Sequence, residues 1–376
     1  MQNKLRILQI GRYFPPHIGG TENVIFDLTE GLTSMGHACD VLCCSDTGQY
    51  LEETKGAYRV FRTKTILKVG SIAISAQQII KLKKLWRNYD IIHIHHPAPM
   101  ATVALWLINP RCKIVIYWHS DIVRQKTLLL LFKPLQNWLL KKADAIVATS
   151  PEYIKASEAL KKYPDKTSFV QLGIEGLERT VDVSPPKKAK DFQHKKIVFS
   201  LGRLVEYKGY QFLIDAAQYL DNDTVILIGG EGRLKSDLAL RIQQNGLWEK
   251  VKLLGKLTNE EVAHYFKICN VFCLPSITKN EAFGLVLLEA MSMGKPVVAT
   301  QIPGSGVAWV NEDSVSGLNV PIENSEALAQ AIKKILNDEN VECEFRKNAR
   351  LRFNQYFKRE IMVRSFVDLY RRIQNS

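Results

Sequence analysis

Two glutamates stand eight residues apart in LPSITKNEAFGLVLLEAMSMGKPVVAT: Glu281 just before a helical pattern and Glu289 in its second or third turn. A carboxylate in the loop at a helix mouth can accept hydrogen bonds from sugar hydroxyls. The amides of Phe283, Gly284 and Leu285 between the two form a helix N-terminus suited to an anion. Glu289 projects from the helix itself and suits a ribose diol. The plain alternative is a surface helix that happens to carry two glutamates. An exposed helix seldom reads FGLVLLEAMSMG, however, so Glu289 is expected to be partly buried and to need a partner.

Two further segments carry chemistry. In SLGRLVEYKG, Gly202, Arg203 and Lys208 follow an apolar strand at its carboxyl end, where ligands of parallel sheets collect. Arginine presents a fork to phosphate oxygens and lysine a compact charge, so the two together suit a diphosphate and can offset charge growing on a departing nucleotide. Taken alone, the same residues make a solvated basic turn. In GRYFPPHIGGTEN, Gly19 and Gly20 precede a helix that Thr21 could cap, leaving bare amides for a phosphate. A Gly-Gly turn before a helix is equally a turn and nothing more.

These segments need elements to hold them. LRILQI, CDVLCC, DIIHIH, KIVIYW and DAIVAT alternate with helical patterns, the first helix placing Val24, Leu28, Leu32 and Met35 on one face. KKIVFSLGR, TVILIGG, KVKLLG, NVFCLP and KPVVAT repeat the alternation. The pattern predicts an α/β protein with two Rossmann-like, doubly wound parallel-sheet domains facing each other across a cleft. The boundaries read as a first domain over 1–174, a linker over 175–194 rich in proline and charge, and a second domain over 195–357. A helical pattern at about 358–376, with Met362, Phe366, Leu369 and Tyr370 near one face, is expected to pack back on the first domain.

Composition bounds the function. The chain of 376 residues has 51 lysines and arginines against 38 acidic residues, a formal charge of +13, which favours anionic partners. No nucleic-acid module or basic tail accompanies that charge, so nucleic acid is not an expected partner. No long apolar run or signal peptide is evident, and a cytoplasmic protein is expected. The seven cysteines lack paired metal-site spacing and read as buried, reduced thiols. His93, His95 and His96 in DIIHIHHP have no acidic partner at a fitting offset for a metal, and Asp221–Asn222–Asp223 reads as a turn.

The motifs GGTE, SLGRLVEYKG and above all EAFGLVLLE resemble the large retaining glycosyltransferase family of the GT-B fold that includes bacterial mannosyltransferases and sucrose synthase. The resemblance spans nearly the whole chain. It implies that Glu281 and Glu289 engage the donor sugar and the ribose, that Arg203 and Lys208 hold the diphosphate, and that no cofactor or metal ion is needed. It also implies a histidine beside the transferred sugar at the end of a first-domain strand, a place that His119 takes in KIVIYWHSD. A lone histidine is ordinarily structural, and in this family it is not expected to act as a general base, because the departing phosphate takes the acceptor proton.

WHSDIVRQK and GSGVAWVN resemble transferases of O-chains and other cell-surface glycans, which implies a nucleotide-diphosphate sugar donor, GDP-mannose first among them, and a polyprenyl-diphosphate-linked glycan acceptor. The usual Gly-Gly after the VVAT strand appears as Gly304, Ser305 and Gly306. QQIIKLKKLWRNYD, with Ile79, Leu82, Leu85 and Trp86 on one side and Lys81, Lys83, Lys84 and Arg87 over the rest, fits peripheral docking on an anionic membrane or, equally, a core-facing helix with a solvated basic face. LLLLFKPLQNWLLKKAD is a second such stretch. A nucleotide-sugar epimerase or phosphorylase of the same fold, or a non-catalytic nucleotide-sugar-binding subunit, are the other readings, the last expected to lack one or more of these residues.

Overall fold

The computed structural model describes residues 4–17, 19–69, 72–122, 126–177, 192 and 194–375. The chain divides into two compact units. The first comprises Met1–Gly173 and Arg359–Ser376, and the second Ile174–Lys358. Of the linker expected over 175–194, residues 178–191 and 193 lie outside the described residues, as do Val123, Arg124 and Gln125 of the WHSDIVRQK string.

Ten strands belong to the first unit: β1 (Arg6–Ile10), β2 (Ala38–Cys44), β3 (Leu51–Lys55), β4 (Tyr58–Thr63), β5 (Leu67–Val69), β6 (Ile72–Ile74), β7 (Ile91–His96), β8 (Lys113–Trp118), β9 (Ala145–Ala148) and β10 (Thr167–Phe169). Eight of them form one sheet in the order β10-β9-β8-β7-β1-β2-β4-β3, and β5 pairs with β6 in a separate hairpin. All neighbours in the large sheet are parallel except β3, which runs antiparallel to β4. That edge hairpin departs from the purely parallel sheet expected. Its sequence, LEETKGAYRV, is polar on its outer strand and gives no apolar run to read.

The second unit contains β11 (Lys196–Leu201), β12 (Thr224–Gly229), β13 (Val251–Gly255), β14 (Val271–Leu274), β15 (Val297–Thr300) and β16 (Gly317–Val320). Their order is β13-β12-β11-β14-β15-β16, parallel throughout. Strands such as TVILIG are buried along their whole length, because helices cover both faces of the sheet. Two Rossmann-like domains are therefore present. In the second, strand order reverses between β11 and β14, and the loops leaving their carboxyl ends flank the crevice where doubly wound sheets bind ligands.

Local readings divide. Val24, Leu28 and Leu32 are buried in the helix Gly20–Ser34, but Met35 lies past its end and is exposed. Thr21 does not cap that helix: Gly19 is the N-cap residue and no side chain caps it, since the helix starts one residue earlier than the expected cap. Asp221 to Asp223 form the expected turn before β12, with Asp221 paired to Lys333 and Asp223 to Lys196. All seven cysteines are free thiols, yet Cys112 is half-buried and Cys343 is exposed, on a polar helix whose pattern offers it no apolar face.

The helix Arg359–Gln374 packs within the first unit. Met362, Phe366, Leu369 and Tyr370 are buried, and the Phe366 ring lies 4.8 Å from that of Tyr117 and 4.9 Å from that of His93. Its first turn crosses the helix Gly20–Ser34 at Gly31, where a Cβ would come within 2.3 Å of Val363 Cγ2 and 3.5 Å of Arg359 Cγ. Glycine there lets two helix backbones approach. Gly31→Leu is therefore expected to destabilise the first domain by roughly 1–3 kcal/mol through overpacking, whereas Met35→Ala should leave stability nearly unchanged. Thermal unfolding of both variants checks this, and an unaltered melting temperature in Gly31→Leu would refute the close packing.

Candidate active site

In the second domain, the loop after β11 runs through Gly202 and Arg203 into a single 3₁₀ turn at Glu206–Lys208, and Gly209 (φ 65°) then starts the next helix. A Cβ on Gly209 would lie 2.1 Å from the Pro275 carbonyl oxygen, so this loop rests directly on the backbone of the loop leaving β14. That contact brings Lys208 to Glu281. The ammonium lies 2.5 Å from Glu281 Oε2, with the two side chains only 10% and 12% exposed. Burial alone would push the Lys208 amine down, but attraction to the Glu281 carboxylate, with its hydrogen bond, outweighs it and holds the group firmly cationic. A Cβ at position 202 would sit 3.1 Å and 3.2 Å from the Lys208 Cε and Nζ, so glycine leaves the room that the ammonium fills.

Other contacts fix the Glu281 loop. Ser276 donates its hydroxyl to Glu281 Oε2 at 3.0 Å. Ser305, in the Gly-Ser-Gly loop after β15, donates to the Glu281 carbonyl oxygen, and the Gly306 amide donates to the Ala282 carbonyl at 2.8 Å. Serine in place of the usual glycine thus turns inward and clamps the carboxylate's own backbone. Ser276 was not distinguishable in the sequence, because a serine beside a strand end carries no pattern, and Ser305 stood out there only as a departure from Gly-Gly, with no partner to read.

The helix Leu285–Ser292 follows, with Gly284 at its N-cap in the left-handed region (φ 79°, ψ 59°) and no side-chain cap. Phe283 is buried against Trp309 and Phe357. Glu289, in the second turn, is half-buried as its apolar surroundings imply, and it has a partner. Arg203 is exposed and donates to the Tyr207 hydroxyl at 3.2 Å. The structure therefore joins Lys208 directly to Glu281 and places Arg203 on the same loop as Lys208.

In the first domain, His119 follows β8 and is buried, its Nε2 2.9 Å from His95 Nδ1. His95 Nε2 lies 2.6 Å from Gln9 Oε1 on the central strand. His93 bonds through Nδ1 to the Tyr370 hydroxyl, and the His96 ring stacks on Trp118 with centroids 3.7 Å apart. The three histidines of DIIHIHHP thus have different partners, although the His93 and His95 rings also stack on each other with centroids 4.7 Å apart. Among the described residues, no group of three or more histidine, cysteine or acidic side chains is placed to hold a metal ion. Gly19 and Gly20 open the helix after β1, but a Cβ at Gly19 would lie 2.2 Å from Glu22 Oε2. Glu22 is buried and lies 3.6 Å from Arg12, whose side chain is the exposed member of the pair.

Comparison with known proteins extends this geometry. Residues 18–175 match the model described as Glycosyltransferase Family 4, and residues 185–352 the model described as Glycosyl transferases group 1. The chain is 33% identical over 370 residues to the O-antigen chain mannosyltransferase C of Escherichia coli, covering 97% of this chain and 98% of that one. It is 30% identical over 360 residues to the D-rhamnosyltransferase WbpZ of Pseudomonas aeruginosa, covering 94% and 92%. The fold is that of sucrose-phosphate synthase from Thermosynechococcus elongatus, with a TM-score of 0.78 at 23% identity over 99% of this chain and 100% of that one. The chain belongs to this glycosyltransferase family, with its two-domain GT-B fold. It is related to bacterial transferases that build O-antigen and other surface polysaccharides.

Burial makes the histidine group an acid sensor of stability. Desolvation pushes His93, His96 and His119 down to about 3 and His95 well below its ordinary 6.5. Between pH 6.5 and about 3 the unfolded chain binds protons that the folded chain refuses, so stability is full above 6.5 and falls as the pH drops. Each histidine should contribute up to about 1.4 kcal/mol per pH unit in that window. Pulse proteolysis in urea at pH 7.5 and 5.5 should show first-domain peptides cleaved at lower urea in acid, more so than second-domain peptides. Equal shifts in both domains would refute the assignment.

Proposed function

We propose that this protein is a retaining, metal-independent glycosyltransferase that moves a sugar, mannose from GDP-mannose in the leading reading, from a nucleotide-diphosphate donor to a polyprenyl-diphosphate-linked glycan in O-antigen or other surface polysaccharide synthesis. The observation that carries it is the Lys208–Glu281 pair, held by the loops of the two strands between which the second sheet reverses, with exposed Arg203 on the same loop. In this reading the second domain binds the donor and the first the acceptor. Arg203 and Lys208 offset the charge that develops on the departing diphosphate, while Glu281 accepts hydrogen bonds from the sugar and Glu289 from the ribose. Gly202 leaves room for Lys208, and the amides of Phe283, Gly284 and Leu285 face the anion.

The bond from the anomeric carbon to the phosphate oxygen breaks as the bond to the acceptor oxygen forms, and the acceptor proton passes to the departing phosphate. His119, pushed down to about 3, is too weak a base to take that proton at neutral pH, and it serves instead as a hydrogen-bonding partner of the sugar. Gly19 and Gly20, with bare amides where their helix opens, give close backbone approach to the donor. A UDP-hexose or UDP-N-acetylhexosamine donor is the second reading, because the choice among such donors turns on a few contacts to the base and the sugar.

Because Lys208 leans on Glu281, the informative variant is Glu281→Gln, which removes the countercharge but keeps an acceptor for the ammonium, whereas alanine removes both. Turnover in Glu281→Gln should fall by roughly 100-fold or more, with the melting temperature lowered less than in Glu281→Ala and the protein still folded at the assay temperature. Near wild-type turnover would remove the central assignment. A thermal-shift screen of GDP-mannose against UDP sugars, with and without magnesium, names the donor: the bound nucleotide sugar raises the melting temperature, and a shift that requires magnesium would refute metal independence.

The acceptor's lipid anchor calls for a membrane-facing surface. No helix among the described residues is long and apolar enough to cross a membrane. The helix Ala76–Leu85 buries Leu82 and Leu85, and Lys81 folds inward over the Phe61 ring with its ammonium 4.3 Å from the centroid. Lys83, Lys84 and Arg87 remain exposed, as do Ile80 and, on the neighbouring helix Pro99–Ile108, Trp106 and Leu107. Binding to vesicles containing anionic lipid should weaken when Lys83, Lys84 and Arg87 are changed to glutamate, by about 1 kcal/mol or more per residue. Unchanged flotation with such vesicles would assign the basic face to solvent.

A further inference from the structure

Buried hydrogen bonds in the first domain decide which nitrogen of His119 carries a proton. Thr29 donates its hydroxyl to the Ile25 carbonyl at 2.7 Å, one turn back along its helix. With its single proton so placed, that hydroxyl can only accept from Gln9, which fixes the Gln9 amide nitrogen 2.6 Å away and facing it. The same nitrogen also reaches the Ile25 carbonyl at 3.4 Å. Gln9 Oε1 is thereby turned to His95 and accepts from its Nε2 at 2.6 Å.

A neutral imidazole has one N–H, so His95 Nδ1 is the acceptor and its partner at 2.9 Å, His119 Nε2, must donate. The two rings lie within 7° of parallel with centroids 5.2 Å apart, the spacing that two imidazoles touching nitrogen to nitrogen in one plane give. Gln9 and His95 are fully or almost fully buried, and burial keeps both histidine rings neutral. His119 then has a bare lone pair on Nδ1, on the far side of Cε1 from His95.

We propose that Gln9 and His95 are positioning residues that lock His119 as its Nε2–H tautomer, leaving Nδ1 to meet the transferred sugar solely as a hydrogen-bond acceptor. The chain of command starts at a backbone carbonyl and passes through Thr29, Gln9 and His95 to the ring. A ligand hydroxyl that donates to Nδ1 is accepted; a bare ether or phosphate oxygen at the same place faces an opposed lone pair. The locking itself depends only on the first domain, whereas its use on the sugar rests on the function proposed above.

The test is long-range ¹H–¹⁵N correlation on the full-length protein labelled at histidine nitrogen, near neutral pH, with His119 assigned from the His119→Gln spectrum. Wild type should show His119 with a protonated Nε2 and a bare Nδ1; the opposite tautomer, or an equal mixture, overturns the proposal. Gln9→Leu removes the acceptor for His95 without touching His119, and Thr29→Val removes the shortest contact of the Gln9 amide with almost no change of shape, leaving the Ile25 carbonyl and Cys39 Sγ, each at 3.4 Å, to orient it. Both should give mixed His119 tautomers and about a tenfold loss of turnover with the donor. A single unchanged tautomer in both variants would sink the relay. Mixed tautomers with unaltered turnover would sink its use on the sugar. A wild-type protein that turns over no nucleotide sugar, yet shows the single tautomer, would count against the proposed function and leave the lock standing.

Discussion

The ion pair of Lys208 with Glu281 ties the loop leaving β11 to the loop leaving β14, the two strands between which the second sheet changes direction. Removing two nearly buried charges from water is costly, and the arrangement holds because each charge answers the other and further hydrogen bonds complete the carboxylate. Gly202 and Gly209 exist in this setting to let backbone and ammonium come close, and Ser276 and Ser305 brace the acid from the other side. The local charge is balanced, so exposed Arg203 supplies the positive excess that an incoming anion would feel first.

The first domain organises its polar interior differently. Its central strands carry Gln9, His93 and His95 inward, where an apolar residue would ordinarily sit, and each finds a hydrogen bond to a named partner. Hydrogen-bonded neutral rings cost far less to bury than charged ones, so these central strands keep polar side chains in the core by keeping them uncharged. Two clusters thus hold polar groups at the ends of parallel strands by different means: a charge pair at Lys208 and Glu281, and neutral rings around His95.

Much of this was legible in the sequence wherever a strand is buried on both faces or a helix is amphipathic. KIVFSL and TVILIG announce β11 and β12, and Met362, Phe366 and Tyr370 announce the apolar face of the helix Arg359–Gln374. The edge strand β3, its neighbour β4 with two arginines, the short β10 and the Gly-Asn-containing β16 were not legible, because exposed, brief or polar-interrupted strands lack the apolar run that pattern reading requires. Side-chain partnerships were hidden for another reason. Gln9 and His95 are 86 residues apart and Ser305 and Glu281 24 apart, distances that register in the sheets closes and that spacing along the chain does not reveal. Lys208 was read as a phosphate ligand; folding gives it a carboxylate partner as well.

One feature of the chain's path bears on its biosynthesis. The second domain is a single uninterrupted stretch, Ile174–Lys358, while the first is closed by a helix encoded after it. On a ribosome the later-encoded domain can therefore finish folding before the earlier one, whose Tyr117 and His93 remain without the cover of Phe366 and Tyr370 until the helix Arg359–Gln374 emerges. An unfinished first domain would present that apolar face to chaperones for the whole time the second is being made, and a fragment ended near Gly173 would present it permanently.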